Sequence, residues 1–285
     1  MQKFHSIGLN LRRIFALMVL FPALSGFEQA RAFEISTTNV NVLGREIKVI
    51  LYKPDGTGPF PLLVLSHGSP RNAEERKSYG GKTLQAQAEA YATNGVAVAV
   101  PIRRGYGGNG KWEEGFGACE HPDYYDAGLA GADDIDAAIA AFLKRPDIDA
   151  SRVVLMGVSA GGWASLAAAT KGDVLGVVNF AGGRGSSAPD TVCNEDDLIY
   201  AAGRYGAESR HLPELWIYSQ NDHFFGPSLA HRLFDAFTTA GGKATFMAAP
   251  AYGDDGHKYF DDVNAWKPTV DGFLRQIGFL PPKTR

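Results

Sequence analysis

Short apolar runs, each followed by a stretch with helical periodicity, recur through most of this chain and leave few folds open. Leu62–Leu65, Val96–Ile102, Val153–Met156, Val174–Phe180, Leu215–Tyr218 and Ala244–Ala248 read as strands. Helix-type stretches run at Thr83–Thr93, Asp126–Lys144, Ala160–Ala169, Glu195–Ala202, Pro227–Ala240 and Val263–Ile277. In Asp126–Lys144 the residues Leu129, Ile135, Ile139, Phe142 and Leu143 recur near the helical period, and Pro146 ends the pattern. Strands that are apolar throughout offer no face to water, so helices must cover both faces of their sheet. The expectation is an α/β fold, a single domain with a doubly wound, mostly parallel sheet flanked by helices. A closed eight-stranded barrel fits less well. The first two strand runs, Glu46–Tyr52 and Leu62–Leu65, are joined by the turn Pro54-Asp55-Gly56 with no helix between them. Open sheets of this kind bind ligands at the carboxyl ends of their strands, which directs attention to the loops there.

The first 32 residues stand apart. Lys3, Arg12 and Arg13 precede the apolar run Ile14–Leu24, and Ala30-Arg31-Ala32 follows as a small-x-small cleavage pattern. The run is shorter than the roughly 20 residues of a membrane span, and Pro22 interrupts it. This predicts a signal peptide over 1–32 and an exported domain over 33–285, periplasmic or extracellular, without a stable membrane anchor. The segment carries four basic side chains and one acidic one, so the net charge of −3 becomes −6 without it. Such a balance leaves no electrostatic footprint for nucleic acid. Both cysteines, Cys119 and Cys193, lie beyond the segment, and in an oxidising compartment one disulfide between them is expected. Their spacing suits neither a metal site nor a dithiol motif, and no metal or other cofactor is expected.

The strand Arg152–Met156 runs into Gly157-Val158-Ser159-Ala160-Gly161-Gly162 and on into a helix. G-x-S-x-G between strand and helix describes a sharp turn that lifts a serine hydroxyl clear of the sheet. The new helix aims its first N–H groups at whatever that serine attacks. Ser159 is therefore the expected nucleophile. A serine hydroxyl needs a base, and the base needs an orienting acid. The chain order serine, acid, histidine leaves four of the seven histidines as bases: His211, His223, His231 and His257. His257 lies in the glycine-flanked loop Tyr252-Gly253-Asp254-Asp255-Gly256-His257, beyond the last strand, and is the expected base. His231 falls within a helix pattern, His211 just before a strand, and His223 in a loop. Asp222 closes Ser219-Gln220-Asn221-Asp222 at a strand's carboxyl end and is the expected acid. Asp254 and Asp255 are rivals too near His257 in sequence, while Asn-Asp is also ordinary turn chemistry. The oxyanion requires two N–H donors. Ala160 directly follows the nucleophile, and Ser69 lies in His67-Gly68-Ser69-Pro70 after the Leu62–Leu65 strand, with Gly68 second to it. His67 reads as structural.

These motifs in this order, together with Arg104-Gly105-Tyr106-Gly107, resemble the α/β-hydrolase superfamily. Within it the chain is most similar to the dienelactone-hydrolase-like and prolyl-oligopeptidase-like branches, above all over Asp147–Gly162 (DIDASRVVLMGVSAGG). The likeness extends over Phe60–Leu280 and implies the α/β-hydrolase fold and an acyl-enzyme mechanism. Ser159 stands where dienelactone hydrolases proper carry cysteine, which puts dienelactone itself in doubt as substrate. No propeller domain precedes the catalytic part, so the size gating of oligopeptidases is not implied.

The expected activity is hydrolysis of a small-molecule carboxylic ester. A peptidase of the oligopeptidase type and a catalytically silent binding protein are the alternatives. Tyr106, Trp112 and Phe224, with Phe116, Tyr124, Tyr125 and Phe225, either line an acyl pocket or form the core under a cap-like segment over Gly105–Tyr125. Arg103 and Arg104 either meet a substrate carboxylate or pair with nearby acids.

Overall fold

Two apolar layers, one on each face of an eight-stranded sheet, organise the molecule. The computed structural model describes residues 1–2, 32–79, 81–209 and 212–283. Residues 3–31 of the expected signal segment, with His5, and also His211, lie outside the described residues. In chain order the strands are β1 (Phe33–Val42), β2 (Arg45–Pro54), β3 (Phe60–Ser66), β4 (Ala97–Ile102), β5 (Ile148–Val158) and β6 (Gly176–Phe180). They continue as β7 (Ser186–Ala188), β8 (Thr191–Val192), β9 (Pro213–Ser219) and β10 (Lys243–Ala249). The helices are α1 (Ala73–Ser78), α2 (Gln85–Ala92), α3 (Tyr124–Phe142), α4 (Ala160–Ala169), α5 (Glu195–Glu208), α6 (Pro227–Thr239) and α7 (Val263–Gln276).

The main sheet runs β1-β2-β4-β3-β5-β6-β9-β10, while β7 and β8 form a separate hairpin. The pairs β1–β2 and β2–β4 are antiparallel, and every neighbour from β4 to β10 is parallel. Side chains sort by the period of two that a pleated strand imposes. On β5, Val153 and Leu155 join one layer with α3, α4, α5 and α6, whereas Val154 and Met156 join the other with α2 and α7. Leu62 and Val64 divide from Leu63 and Leu65 on β3 in the same way. Each such buried aliphatic side chain contributes roughly 1.5–3 kcal/mol, so the strands are held from both faces. The expected doubly wound sheet is present.

Two elements differ from expectation for a common reason. β1 is exposed at all but three of its ten positions, so its sequence carries no apolar stripe to read. α1 buries none of its residues. The expected helix over Thr83–Thr93 begins as a 3₁₀ turn at Gly81–Leu84 before α2 continues it.

Register brings the loops together. Ser66 at the end of β3 pairs with Gly157, Val158 at the end of β5 with Phe180, and Ser219 at the end of β9 with Ala249. The segments after β3, β5, β6, β9 and β10 therefore leave the sheet at one edge. Cys119 and Cys193 are bonded, tying the segment between β4 and α3 to the start of α5. Among the described residues no helix is long and apolar enough to cross a membrane.

The bond joins residues 74 apart. Replacing both cysteines by serine is expected to lower the unfolding free energy by about 4 kcal/mol through the freed unfolded chain. Chemical denaturation of the oxidised protein and the variant measures it, and equal stabilities would contradict it.

Candidate active site

Ser159 leaves β5 with φ 56° and ψ −125°. A non-glycine residue held there costs of order 1–3 kcal/mol, so its surroundings must enforce the turn. The Ser159 amide donates to the Phe180 carbonyl at 2.8 Å, and its own carbonyl accepts from the amides of Trp163 (3.0 Å) and Gly183 (3.3 Å). Crowding does the rest. A Cβ on Gly161 would lie 2.2 Å from the Ser66 carbonyl oxygen, and one on Gly157 would lie 2.3 Å from that of Gly161. On Gly162 it would meet Asn179 Oδ1 at 2.4 Å. Strand, turn and helix touch without room for a methyl group.

His257 sits in a 3₁₀ turn, Gly256–Asp261, after β10. Its Nδ1 faces Asp222 Oδ2 at 3.0 Å and Oδ1 at 3.2 Å. A carboxylate can only accept, so Nδ1 carries a proton. Asp222 Oδ1 also accepts from the amides of Phe224 (2.7 Å) and Phe225 (2.9 Å). Burial alone would raise the Asp222 pKa, but the hydrogen bond and charge of His257 and these two amides bring it below the usual carboxylate range. The rival Asp255 instead accepts the backbone amides of His257 (2.9 Å) and His223 (3.1 Å), and Asp254 is exposed. His223 turns outward to Asp190, at 2.9 Å. His231 is exposed on α6.

The Phe224 ring lies 3.9 Å from the His257 ring at 12°, and the Arg71 guanidinium carbon lies 3.5 Å from the centre of that same ring. Two groups this close to one ring cannot share a face, so Phe224 is sandwiched between Arg71 and His257. Ser159 lines two adjoining cavities of about 210 Å³ each, which also share Ser69, Pro70 and Phe224. Ser69, Ala160, Trp112 and Phe224 line the first with Ser159. His257, Gly68 and Phe260 line the second with Ser159 and Phe224.

Tyr106 does not join either wall. It is fully buried, its hydroxyl donating to Glu114 at 2.9 Å and accepting the Trp112 indole N–H at 3.2 Å. Its ring packs on that of His67, beneath the cavity rather than in it. The expected aromatic group thus divides: Trp112, Phe116, Phe224 and Phe225 line the first cavity, whereas Tyr124 is buried with its hydroxyl on the Cys193 carbonyl.

A model of the Alpha/beta hydrolase family matches residues 63–280. The chain belongs to this family. No curated protein matches the sequence. Among solved structures, a puromycin-hydrolysing peptidase of Mycobacterium tuberculosis superposes with a TM-score of 0.65 at 18% identity, over 89% of this chain and 41% of that one. An acylaminoacyl peptidase of Pyrococcus horikoshii gives 0.66 at 18%, over 91% and 44%. The chain therefore spans about two fifths of the length of these peptidases. A cold-adapted esterase from an Arctic intertidal metagenomic library gives 0.58 at 13%, over 86% and 94%. Identities this low speak for the shared fold alone.

Beneath the site, this α/β-hydrolase buries a charged cluster. Glu114 takes ion pairs from both Arg103 and Arg184, and all three side chains are nearly inaccessible. Arg104 pairs with Asp134 at 2.6 Å, so both strand-end arginines meet acids of the chain itself. Burial alone would push the Glu114 carboxyl up, but the two guanidiniums overturn that and hold it at about 2. His67 is driven down to about 3, by burial first and by Arg103 second, and so stays neutral. Its Nδ1 faces the Gly68 carbonyl at 2.8 Å and its Nε2 accepts the Arg103 amide at 3.3 Å. It therefore braces the loop that carries Ser69. Arg71, Arg76 and Arg184 also line the first cavity, and no motif announces them. The only signal is position: Arg184 lies in Gly182-Gly183-Arg184-Gly185, straight after β6 at the carboxyl edge.

Two outcomes follow from this geometry. Gly161→Ala is expected to cost about 1–3 kcal/mol or more of stability, since its methyl group meets backbone that cannot yield. Thermal unfolding measures it, and a wild-type midpoint would contradict the crowding. Glu114→Gln strands two guanidiniums and should cost about 3–5 kcal/mol near neutral pH. Because folding lowers the Glu114 pKa from 4.5 to about 2, its stabilisation is complete above 4.5 and fades as pH falls through about 2. Denaturation curves across this range should show the gap between wild type and variant closing towards acid.

Proposed function

We propose that this chain is an exported serine hydrolase of small carboxylic esters. The observation that carries the reading is that Ser159, held at positive φ between β5 and α4, and His257, held by buried Asp222, line the same cavity. Ser159 Oγ attacks the acyl carbon while His257 Nε2 takes its proton. The amides of Ala160 and Ser69 receive the oxyanion, and His257 returns the proton to the departing alcohol. Water then enters by the same route and releases the acyl group. Asp222 stays ionised, keeps the imidazole in the productive tautomer and balances the imidazolium that forms.

Absence of a carboxylate from the described lining of the first cavity favours esters over substrates that present a free peptide amine. The Cys119–Cys193 bond supports an oxidising compartment, in agreement with the basic and apolar leader pattern.

A fluorophosphonate probe should label the wild-type protein and not Ser159→Ala. That variant should fold normally and lose kcat by about 10⁴ or more on any ester the wild type turns over. Asp222→Asn should lose a comparable factor, about 10⁴, through the wrong tautomer. A folded Ser159→Ala protein keeping wild-type turnover would remove the nucleophile. Near-normal Asp222→Asn beside inactive Asp255→Asn would move the acid.

A further inference from the structure

Charge sets the first cavity apart from the rest of the molecule. The chain has a net charge of −3, yet this wall gathers Arg71, Arg76 and Arg184. Two of its four aromatic rings, Trp112 and Phe224, already carry a guanidinium. The Arg76 guanidinium lies 3.9 Å over Trp112, as that of Arg71 lies over Phe224. These rings serve as platforms for cations.

Among the described residues none of these three cations has a carboxylate to itself. Arg184 is 4% exposed and shares the single carboxylate of Glu114 with Arg103, which leaves a net positive charge in the buried cluster. Its Nε has no hydrogen-bond partner among the described residues. Arg71 donates to Ser186 Oγ (2.8 Å) and the His223 carbonyl (3.3 Å), and Arg76 to the carbonyls of Pro70 and Arg71 (both 3.3 Å). The charges of Asp255, Asp222 and Asp190 reach Arg71, but among the described residues none of the three pairs with it directly. Asp222 holds His257, Asp190 holds His223, and Asp255 holds two backbone amides. A recess with three guanidinium groups and no lining acid among the described residues concentrates positive potential, and the planar guanidinium fork matches a carboxylate.

Position identifies which half of the substrate enters it. His257 lines the other cavity, so the alcohol it protonates departs on that side, and the acyl part extends into the arginine-lined cavity. Resting on the ester-hydrolase reading above, we infer that this cavity is an acyl subsite for a free carboxylate. The preferred substrates are half-esters of dicarboxylic acids, whose hydrolysis by water gives the dicarboxylic acid and the alcohol. The role left open for Arg103 and Arg104 passes to Arg71, Arg76 and Arg184.

The test compares mono-p-nitrophenyl adipate with its neutral counterpart, methyl p-nitrophenyl adipate, on the purified oxidised protein with background hydrolysis subtracted. The readout is the ratio of their kcat/KM values within each protein, which cancels general losses. Wild type should favour the anion by about tenfold or more, and added salt should erode that preference. Arg71→Gln combined with Arg76→Gln should bring the ratio near one, and folded Arg184→Gln should lower it as well. A wild-type ratio near one, or a high ratio that survives in the double variant, overturns the subsite while the hydrolase reading stands. Failure to hydrolyse either ester, or hydrolysis that persists in Ser159→Ala, overturns the underlying reading and the subsite with it.

Discussion

The contact between Gly161 and the carbonyl oxygens at the end of β3 is the constraint on which the site rests. A Cβ at residue 161 would stand 2.2 Å from the Ser66 carbonyl and 2.4 Å from that of His67. Only a bare α-carbon lets α4 start so close to the sheet. That approach fixes where α4 begins and holds Ser159 at its unfavourable backbone angles. It also sets the distance from the serine to the Gly68–Ser69 loop, where a Cβ on Gly68 would lie 3.2 Å from Ser159 Cβ. Local strain at one residue is thus carried by the packing of three elements.

A second point of control lies one layer down. Glu114 belongs to the long connection between β4 and α3, Arg103 to the end of β4, and Arg184 to the loop after β6. One carboxylate therefore joins three separate pieces of chain under the cavity floor, where water cannot replace it. Buried ion pairs of this type add little net stability, but losing one partner is costly. Their value here is positional: they hold Trp112, Phe116 and Arg184 against the same space.

Much of the architecture was legible because it follows from side-chain polarity at fixed periods. The apolar runs gave β3, β4, β5, β6 and β9, and the strand-turn-helix context singled out Ser159. Asp222 and His257 were legible through chain order and loop placement, and the structure brings their side chains together. What could not be read depends on neighbours distant in sequence. β1 is an exposed edge strand whose order comes from pairing with β2, residue for residue from Phe33 against Pro54 to Val42 against Arg45. Tyr106 could be read as a cavity residue or as core, and its hydroxyl, which satisfies Glu114, draws the ring inward. No local pattern marks Arg71, Arg76 or Arg184, since their common surroundings arise only when the loops after β3 and β6 meet.

The sorting of side chains into two apolar layers has a consequence for how accurately the loops are aimed. A one-residue slip of a parallel strand would displace its end by about 3.3 Å and exchange its two faces. On β5 it would send Val153 and Leu155 into the layer that takes Val154 and Met156, against helices shaped for other side chains. Every strand that delivers a loop to the cavity is gauged in this way. Alignment is set by oil on both faces of the sheet, and the loops are free to vary in chemistry without losing their aim.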